Sequence, residues 1–232
     1  MYKRQLYQLK SHISRWKRIS EEAGISNTTL DSITVTYRDK KFHVNKDSFS
    51  GHMKHLRRTE YNIYTDGSKL DGNCGTGFAI YRGNKLVANG KRRLPESATV
   101  FQAEINGIKM SCEKMIQEIK HYKPKYIKIF SDSQAALLAI NSSNINSRAV
   151  LETIKAMNEL AKHARRVTLV WIKAHVGHKG NELADRLAKE GTLINTINND
   201  IHAPLSSVKN QINKFIRTQW DKEWQSYKEA RR

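Results

Sequence analysis

The sequence predicts a mixed α/β domain over residues 61–194, flanked by helical segments on both sides. Short runs rich in β-branched and aromatic residues alternate there with stretches whose apolar residues recur every three or four positions. Glycine-bearing turns separate the first three runs, as in an antiparallel meander. Each later run is followed by a helical stretch, which is how α/β sheets are wired.

In residues 1–24, Tyr2, Leu6, Leu9, Ile13, Trp16 and Ile19 form one helical stripe backed by Lys and Arg, with Gly24 as its stop. SITVTYRDKKFHV, residues 32–44, reads as a hairpin, and the polar remainder up to Glu60 as connector. This basic N-terminal extension, residues 1–60, holds 13 basic against 6 acidic side chains. The strands of the meander are YNIYT, GFAIYR and NKLVANGKRRL. VFQAEINGIKMSCEKMIQEI follows, with apolar residues at helical spacing from Phe101 to Ile119. KYIKIF is a strand, SQAALLAI and AVLETIKAMNELAKHA are helices, and VTLVWIKA is the last strand. GNELADRLAKEG is a helix that ends at Gly191, so the order is βββαβααβα. Residues 195–232 read as a linker and an amphipathic helix. Its stripe of Val208, Ile212, Phe215, Ile216, Trp220, Trp224 and Tyr227 needs a cover.

Composition narrows the partner. With 41 Lys and Arg against 22 Asp and Glu, the 232-residue chain carries a formal +19, which favours a polyanion such as nucleic acid over a small neutral substrate. A merely solvated surface is the plain alternative. No apolar run approaches the ~20 residues that span a bilayer, so no membrane partner is expected. The first residues carry charges every few positions and lack the apolar core of a secretory signal. Cys74 and Cys112 cannot form a disulfide framework or a Cys-based zinc site. An intracellular setting is expected, with cytoplasm and nucleus not distinguished.

Four acids stand out. Asp66 lies at the end of the first strand, where Asp-Gly also suits a turn. Glu104 falls beside Phe101 and Ile108 on the stripe that should face the core, although an acid in a first helical turn also gains from the helix dipole. Asp132 follows the strand KYIKIF and is equally a good helix N-cap. Asp185, within NELADRLAK, is by itself an ordinary helix acid. Together, these strand ends and helix starts form a set of hard oxygen ligands suited to divalent cations.

YTDGSK (64–69), FQAEINGIK (101–109), SDSQAALLAI (131–140) and WIKAHVGHKGNELADRLAKEG (171–191), in that order, resemble the type 1 ribonuclease H family. The resemblance implies a ribonuclease H-like fold, with a five-stranded mixed sheet of three antiparallel strands and then parallel strands, flanked by helices. It implies Asp66, Glu104, Asp132 and Asp185 as the metal-binding catalytic carboxylates. Two Mg²⁺ ions, or Mn²⁺ as substitute, would serve in hydrolysing the RNA strand of RNA–DNA hybrids. It makes His175 the catalytic histidine, placed on a loop ten residues before Asp185, and His178 a structural loop residue. Thr99 falls where the family binds a DNA phosphate, and Gln134 where it contacts RNA.

VFQAEI and WIKAHVGHKGNELAD look like the ribonuclease H domain of jockey-like non-LTR retrotransposon polyproteins. On that reading residues 1–60 are a connector remnant from an upstream reverse transcriptase, and other polyprotein domains are possible partners. Phe101 and Val100 stand where cellular members carry groove-reading amides, and a basic protrusion after the third carboxylate is missing. Basic runs at 91–93, 120–125 and 163–166, with the basic N-terminal helix, are then the phosphate-contact candidates. The alternative is a catalytically inactive nucleic-acid-binding remnant of a mobile element.

Overall fold

The computed structural model describes residues 18, 20–24, 29–50, 60–119, 123–174, 176–198 and 200–229. Two compact units result, residues 31–202 and a second built from residues 1–30 and 203–232.

The larger unit contains strands β1 (Val35–Thr36) and β2 (His43–Asn45), then a 3₁₀ turn over Lys46–Ser50. Strands β3 (Tyr61–Leu70), β4 (Asn73–Arg82) and β5 (Lys85–Leu94) come next. Helix α1 (Val100–Glu118), strand β6 (Tyr126–Ser131) and helix α2 (Gln134–Asn141) follow. Strand β7 (Asn144–Ile145), helix α3 (Arg148–Lys162), strand β8 (Arg166–Trp171) and helix α4 (Lys179–Thr192) complete it. The order read from residues 61–194 is reproduced, with β7 as an added short strand.

Six strands make one mixed sheet in the order β2-β8-β6-β3-β4-β5. β3, β4 and β5 are antiparallel, whereas β6 pairs parallel with β3, and β8 with β6. The sixth strand is β2, which runs parallel to β8. It comes from the stretch read as a hairpin, and that hairpin does not form: β1 pairs instead with β7 in a separate two-stranded sheet. β2 buries Val44 on joining the sheet, while β1 stays exposed and pairs with β7, whose Ile145 is buried.

The first hairpin also differs from expectation. β3 does not stop at Asp66 but continues to Leu70, with Asp66 opposite Gly77. The turn is formed by the next Asp-Gly, Asp71 at φ 48° and Gly72 at φ 83°. Two successive positive φ angles match the right-handed twist of the flanking strands in a two-residue hairpin loop.

Ile63, Ile80, Ile105, Ile108, Ile127 and Ile129 are among the fully buried residues that pack α1 and its neighbours on the sheet. α4 lies close on the sheet, because β4 offers it backbone in place of side chains. A Cβ on Gly75 would lie 2.3 Å from Ala188 O, and one on Gly77 would lie 2.4 Å from Ala188 N.

In the smaller unit, the helical residues Arg18, Ser20, Glu21 and Glu22 lead to Gly24, with φ 68°; residues 1–17 and 19 of the expected N-terminal helix lie outside the described residues. Helix α5 (Leu205–Glu229) joins this unit through Gln211, whose Nε2 donates to Ala23 O at 2.8 Å. Its apolar stripe divides. Val208, Ile212 and Phe215 are half-buried, while Ile216, Trp220, Trp224 and Tyr227 are exposed. Among the described residues no helix is long and apolar enough to cross a membrane.

Gly77→Ala should destabilise the larger unit by about 1–3 kcal/mol, since the added methyl overpacks a helix backbone that cannot swing aside. Urea unfolding followed by circular dichroism measures this, and an unchanged midpoint would contradict the seating of α4 on β4.

Candidate active site

Asp66, Glu104 and Asp132 each present a carboxylate oxygen, and the three oxygens lie within 4.8 Å of one another. The sheet explains the first pairing. Thr65 of β3 and Ser131 of β6 are parallel partners, so the next residue of each strand leaves the pairing at the same end. That end of a parallel pair is where α/β sheets present their ligands. Glu104 arrives from the start of α1. Gly67 makes room for it: a Cβ there would lie 2.6 Å from Glu104 N and 2.9 Å from Ala103 Cβ. Any side chain at 67 would push α1 away from β3.

Asp185 comes in from the opposite face. Gly77 is the cross-strand partner of Asp66 and shares its face, so the helix lying on Gly77 runs beside Asp66. A Cβ on Gly77 would also meet Ala184 O at 2.5 Å, and Asp185 is the next residue. The structure places Asp185 on the wall of the same cleft but outside the tight group of three. Its Oδ2 is held 2.8 Å from Lys189 Nζ, one helical turn on.

Burial and mutual repulsion set the protonation of this cluster. Asp66 is 7% exposed and its pKa is pushed up to about 7, first by desolvation and then by the charges of Asp132 and Asp185. Glu104, 6% exposed, is raised well above the usual carboxylate range by burial, with Asp66 and Asp132 adding to it. The Gly67 main-chain N–H opposes both shifts without cancelling them. Glu104 Oε2 is buried with no hydrogen-bond partner among the described residues. Among the described residues no Lys or Arg forms an ion pair with Asp66, Glu104 or Asp132. Closely spaced hard oxygens, one of them orphaned, fit a divalent cation, which would reverse the repulsion.

The sequence reading missed the groups that hold the carboxylates. Asn181 Nδ2 donates to Asp132 Oδ2 at 3.3 Å, and Asn181 is 5% exposed. Its signal was present in NELAD: Asn181 precedes Asp185 by four residues and therefore shares its helix face. Trp171 Nε1 donates to Asp132 O at 2.9 Å, while Trp171 N donates to Ser48 Oγ at 3.0 Å. That second contact joins distant parts of the chain and leaves no local pattern.

The cleft is open, about 490 Å³ in volume, and Val100, Phe101, Ser133 and Ala174 line it beside the acids. His175 lies outside the described residues, next to Ala174. His178 stands at the N-cap position of α4 without a capping side-chain bond. Thr99 caps α1: its Oγ accepts from Gln102 N, and Gln102 Oε1 accepts from Thr99 N. Gln134 is the exposed first residue of α2. The basic run at 91–93 is partly committed to the fold, since Lys91 pairs with Glu190 and Arg93 bonds Asn73 and Ile194 O.

The RNase H family model matches residues 58–193. A ribonuclease H of Pseudomonas putida is 30% identical over 148 residues, covering 56% of this chain and 90% of that protein. A ribonuclease H of Campylobacter jejuni is 32% identical over 151 residues, covering 61% and 93%. RNase H1 from the halophilic archaeon Halobacterium salinarum aligns with a TM-score of 0.46 at 21% identity, covering 56% of this chain and 96% of that one. The family match takes in all four acids and the strands and helices that carry them, and the chain belongs to the RNase H family of hydrolases.

Proposed function

We propose that the protein is a divalent-metal-dependent endonuclease that cuts the RNA strand of RNA–DNA hybrids, with Asp66, Glu104, Asp132 and Asp185 as its metal ligands. The observation that carries this is three carboxylates converging on one open cleft in a chain of the RNase H family. A pair of Mg²⁺ ions, or Mn²⁺ in their place, supplies water activation and charge neutralisation at the leaving oxygen when bound there.

The chain's own groups do the rest. Asn181 orients Asp132 through its Oδ2, and Lys189 holds Asp185 at the cleft wall. His175, in the loop before α4, is assigned proton transfer at the leaving group; the support is its place in AHVGHKGNELAD and an imidazole's titration near neutrality. Thr99 Oγ already accepts one hydrogen bond, so its own proton is available for a phosphate oxygen. Gln134 is exposed beside the cleft-lining Ser133 and Ala135, within the region where an RNA strand would run. Discrimination for RNA rests on duplex shape and 2′-hydroxyls, with basic surface groups contacting phosphates. The motifs VFQAEI and WIKAHVGHKGNELAD support an origin in a non-LTR retrotransposon polyprotein, whose other domains are then its partners.

Asp132→Asn should lower cleavage of a labelled RNA–DNA hybrid in Mg²⁺ at least ~100-fold, the scale of losing a ligand that acts in the transition state. A variant that cuts as fast as the parent would refute the proposed centre.

Metal-free protein should lose stability as pH rises from about 4 to about 7. In that window the folded state retains a proton on Asp66 that the unfolded chain has released, so folding grows less favourable until both states are ionised. Thermal melts in chelator across this range test it. Asp66→Asn should make the dependence shallower, with Glu104, also raised by burial, supplying the part that remains, and Mg²⁺ at pH 8 should raise the parent's midpoint. Equal slopes in parent and variant would show that Asp66 is not the titrating group.

A further inference from the structure

Residues 29–50 precede the stretch that matches the family, yet they supply two fixed points next to the carboxylates. Asp31, 9% exposed, accepts three hydrogen bonds. Oδ2 accepts from Gln102 Nε2 at 3.0 Å and from Ser147 Oγ at 2.8 Å, and Oδ1 accepts from Ala149 N at 2.9 Å. One carboxylate thus ties the first turn of α1 to the first turn of α3. On the α1 side Gln102 has no freedom left. Its Oε1 accepts from Thr99 N, its Nε2 also donates to His202 O at 2.9 Å, and it is 1% exposed. Glu104 follows two residues later, and its Oε2 has no partner among the described residues to fix it.

We propose that Asp31 is a positioning residue for the metal centre, holding the first turn of α1 through Gln102 so that Glu104 is delivered to Asp66 and Asp132. This rests on the reading of those carboxylates as metal ligands. Without Asp31, Gln102 keeps only its bonds to the cap and to His202 O, and the start of α1 is free to shift along β3. The repulsion among the three acids then favours any movement that carries Glu104 outward. The same upstream segment braces the other side of the centre, where Ser48 Oγ accepts from Trp171 N and Trp171 Nε1 holds Asp132 O. A stretch outside the matched family region is therefore part of the catalytic unit.

The test compares the 232-residue parent with Asp31→Ala, Asp31→Asn and Ser147→Ala, at a temperature where urea melts show each to be folded. Two quantities are read: kcat and KM on an RNA–DNA hybrid, and Mn²⁺ affinity by calorimetry without nucleic acid. Asp31→Ala should lower kcat and weaken Mn²⁺ binding about tenfold each, the scale of losing a group that orients a metal ligand, with KM nearly unchanged. Asp31→Asn, which keeps one carbonyl acceptor, should fall between Asp31→Ala and the parent, and it carries the test if the alanine variant does not fold. Ser147→Ala removes one of the two α3-side bonds to Asp31 and the cap on Val150 N, and leaves the bond to Gln102 in place. It should lose stability and leave kcat and Mn²⁺ affinity within about twofold of the parent. The proposal is overturned if Asp31→Ala leaves both quantities unchanged, or if Ser147→Ala lowers them equally. A parent that binds Mn²⁺ but leaves the hybrid intact refutes the nuclease reading alone, with the Mn²⁺ titrations still deciding the role of Asp31. A parent that binds no Mn²⁺ overturns both.

Discussion

Like charges held closer together than they would choose are the constraint around which this domain is arranged. At an effective dielectric near 20, two ionised carboxylates separated by the 4.8 Å that bounds this group repel by about 3 kcal/mol. A flexible peptide would relieve that by moving one group into water. Here each acid is pinned through backbone that cannot retreat. Asp66 is in the interior of a ten-residue strand, paired with Gly77 of β4 and directly after Thr65, the last residue paired with β6. Glu104 is pinned by a helix pressed on Gly67, and Asp132 by the residue pairing that precedes it together with Trp171 Nε1 on its carbonyl. The strain that remains appears as protonation: Asp66 and Glu104 hold their protons at pH values where free carboxylates have lost them.

The glycines next to the acids have the same purpose on two faces. Asp66 and Gly67 are consecutive in a strand, so they address opposite sides of the sheet. On the side of Gly67, α1 comes close enough to deliver Glu104. On the side of Asp66, its partner Gly77 lets α4 come close enough to bring Asp185 to the cleft wall. A sheet with ordinary side chains at 67, 75 and 77 would keep both helices at normal packing distance, and the four acids would be spread over a wider cleft.

Local pattern revealed most of the elements, because helical spacing and strand composition are written in consecutive residues; each acid had an ordinary local use as well, and it is the fold that brings three of them together with Asp185 on the cleft wall. It failed where meaning depended on a distant partner. Asp66-Gly67 looks like a turn until Asp71-Gly72, five residues on, is known to make it, and the sequence gives two equivalent dipeptides to choose from. Ser32–Val44 looks like a hairpin because its alternation is locally sound, yet its two halves pair with β7 and β8, more than a hundred residues away. Asp31 and Ser48 gave no signal at all. A single acid and a single serine in a polar stretch have many uses, and only the folded chain shows Gln102, Ser147 and Trp171 around them.

Strand β2 bears on where the working unit begins. Without it β8 would be the sheet's edge, leaving unpaired backbone groups on the strand that leads to Trp171 and to the loop before α4. Pairing His43–Asn45 with Thr168–Val170 fixes that strand up to the residue before Trp171, and Ser48 takes over there by accepting Trp171 N. Order is thus carried along β8 to the side chain that holds Asp132. The segment upstream of the family match stiffens the strand next to the cleft and contributes no residue to the lining of the cleft, which stays open. That division suits an enzyme whose substrate is a large polyanion: rigidity is needed behind the acids, and free approach in front of them.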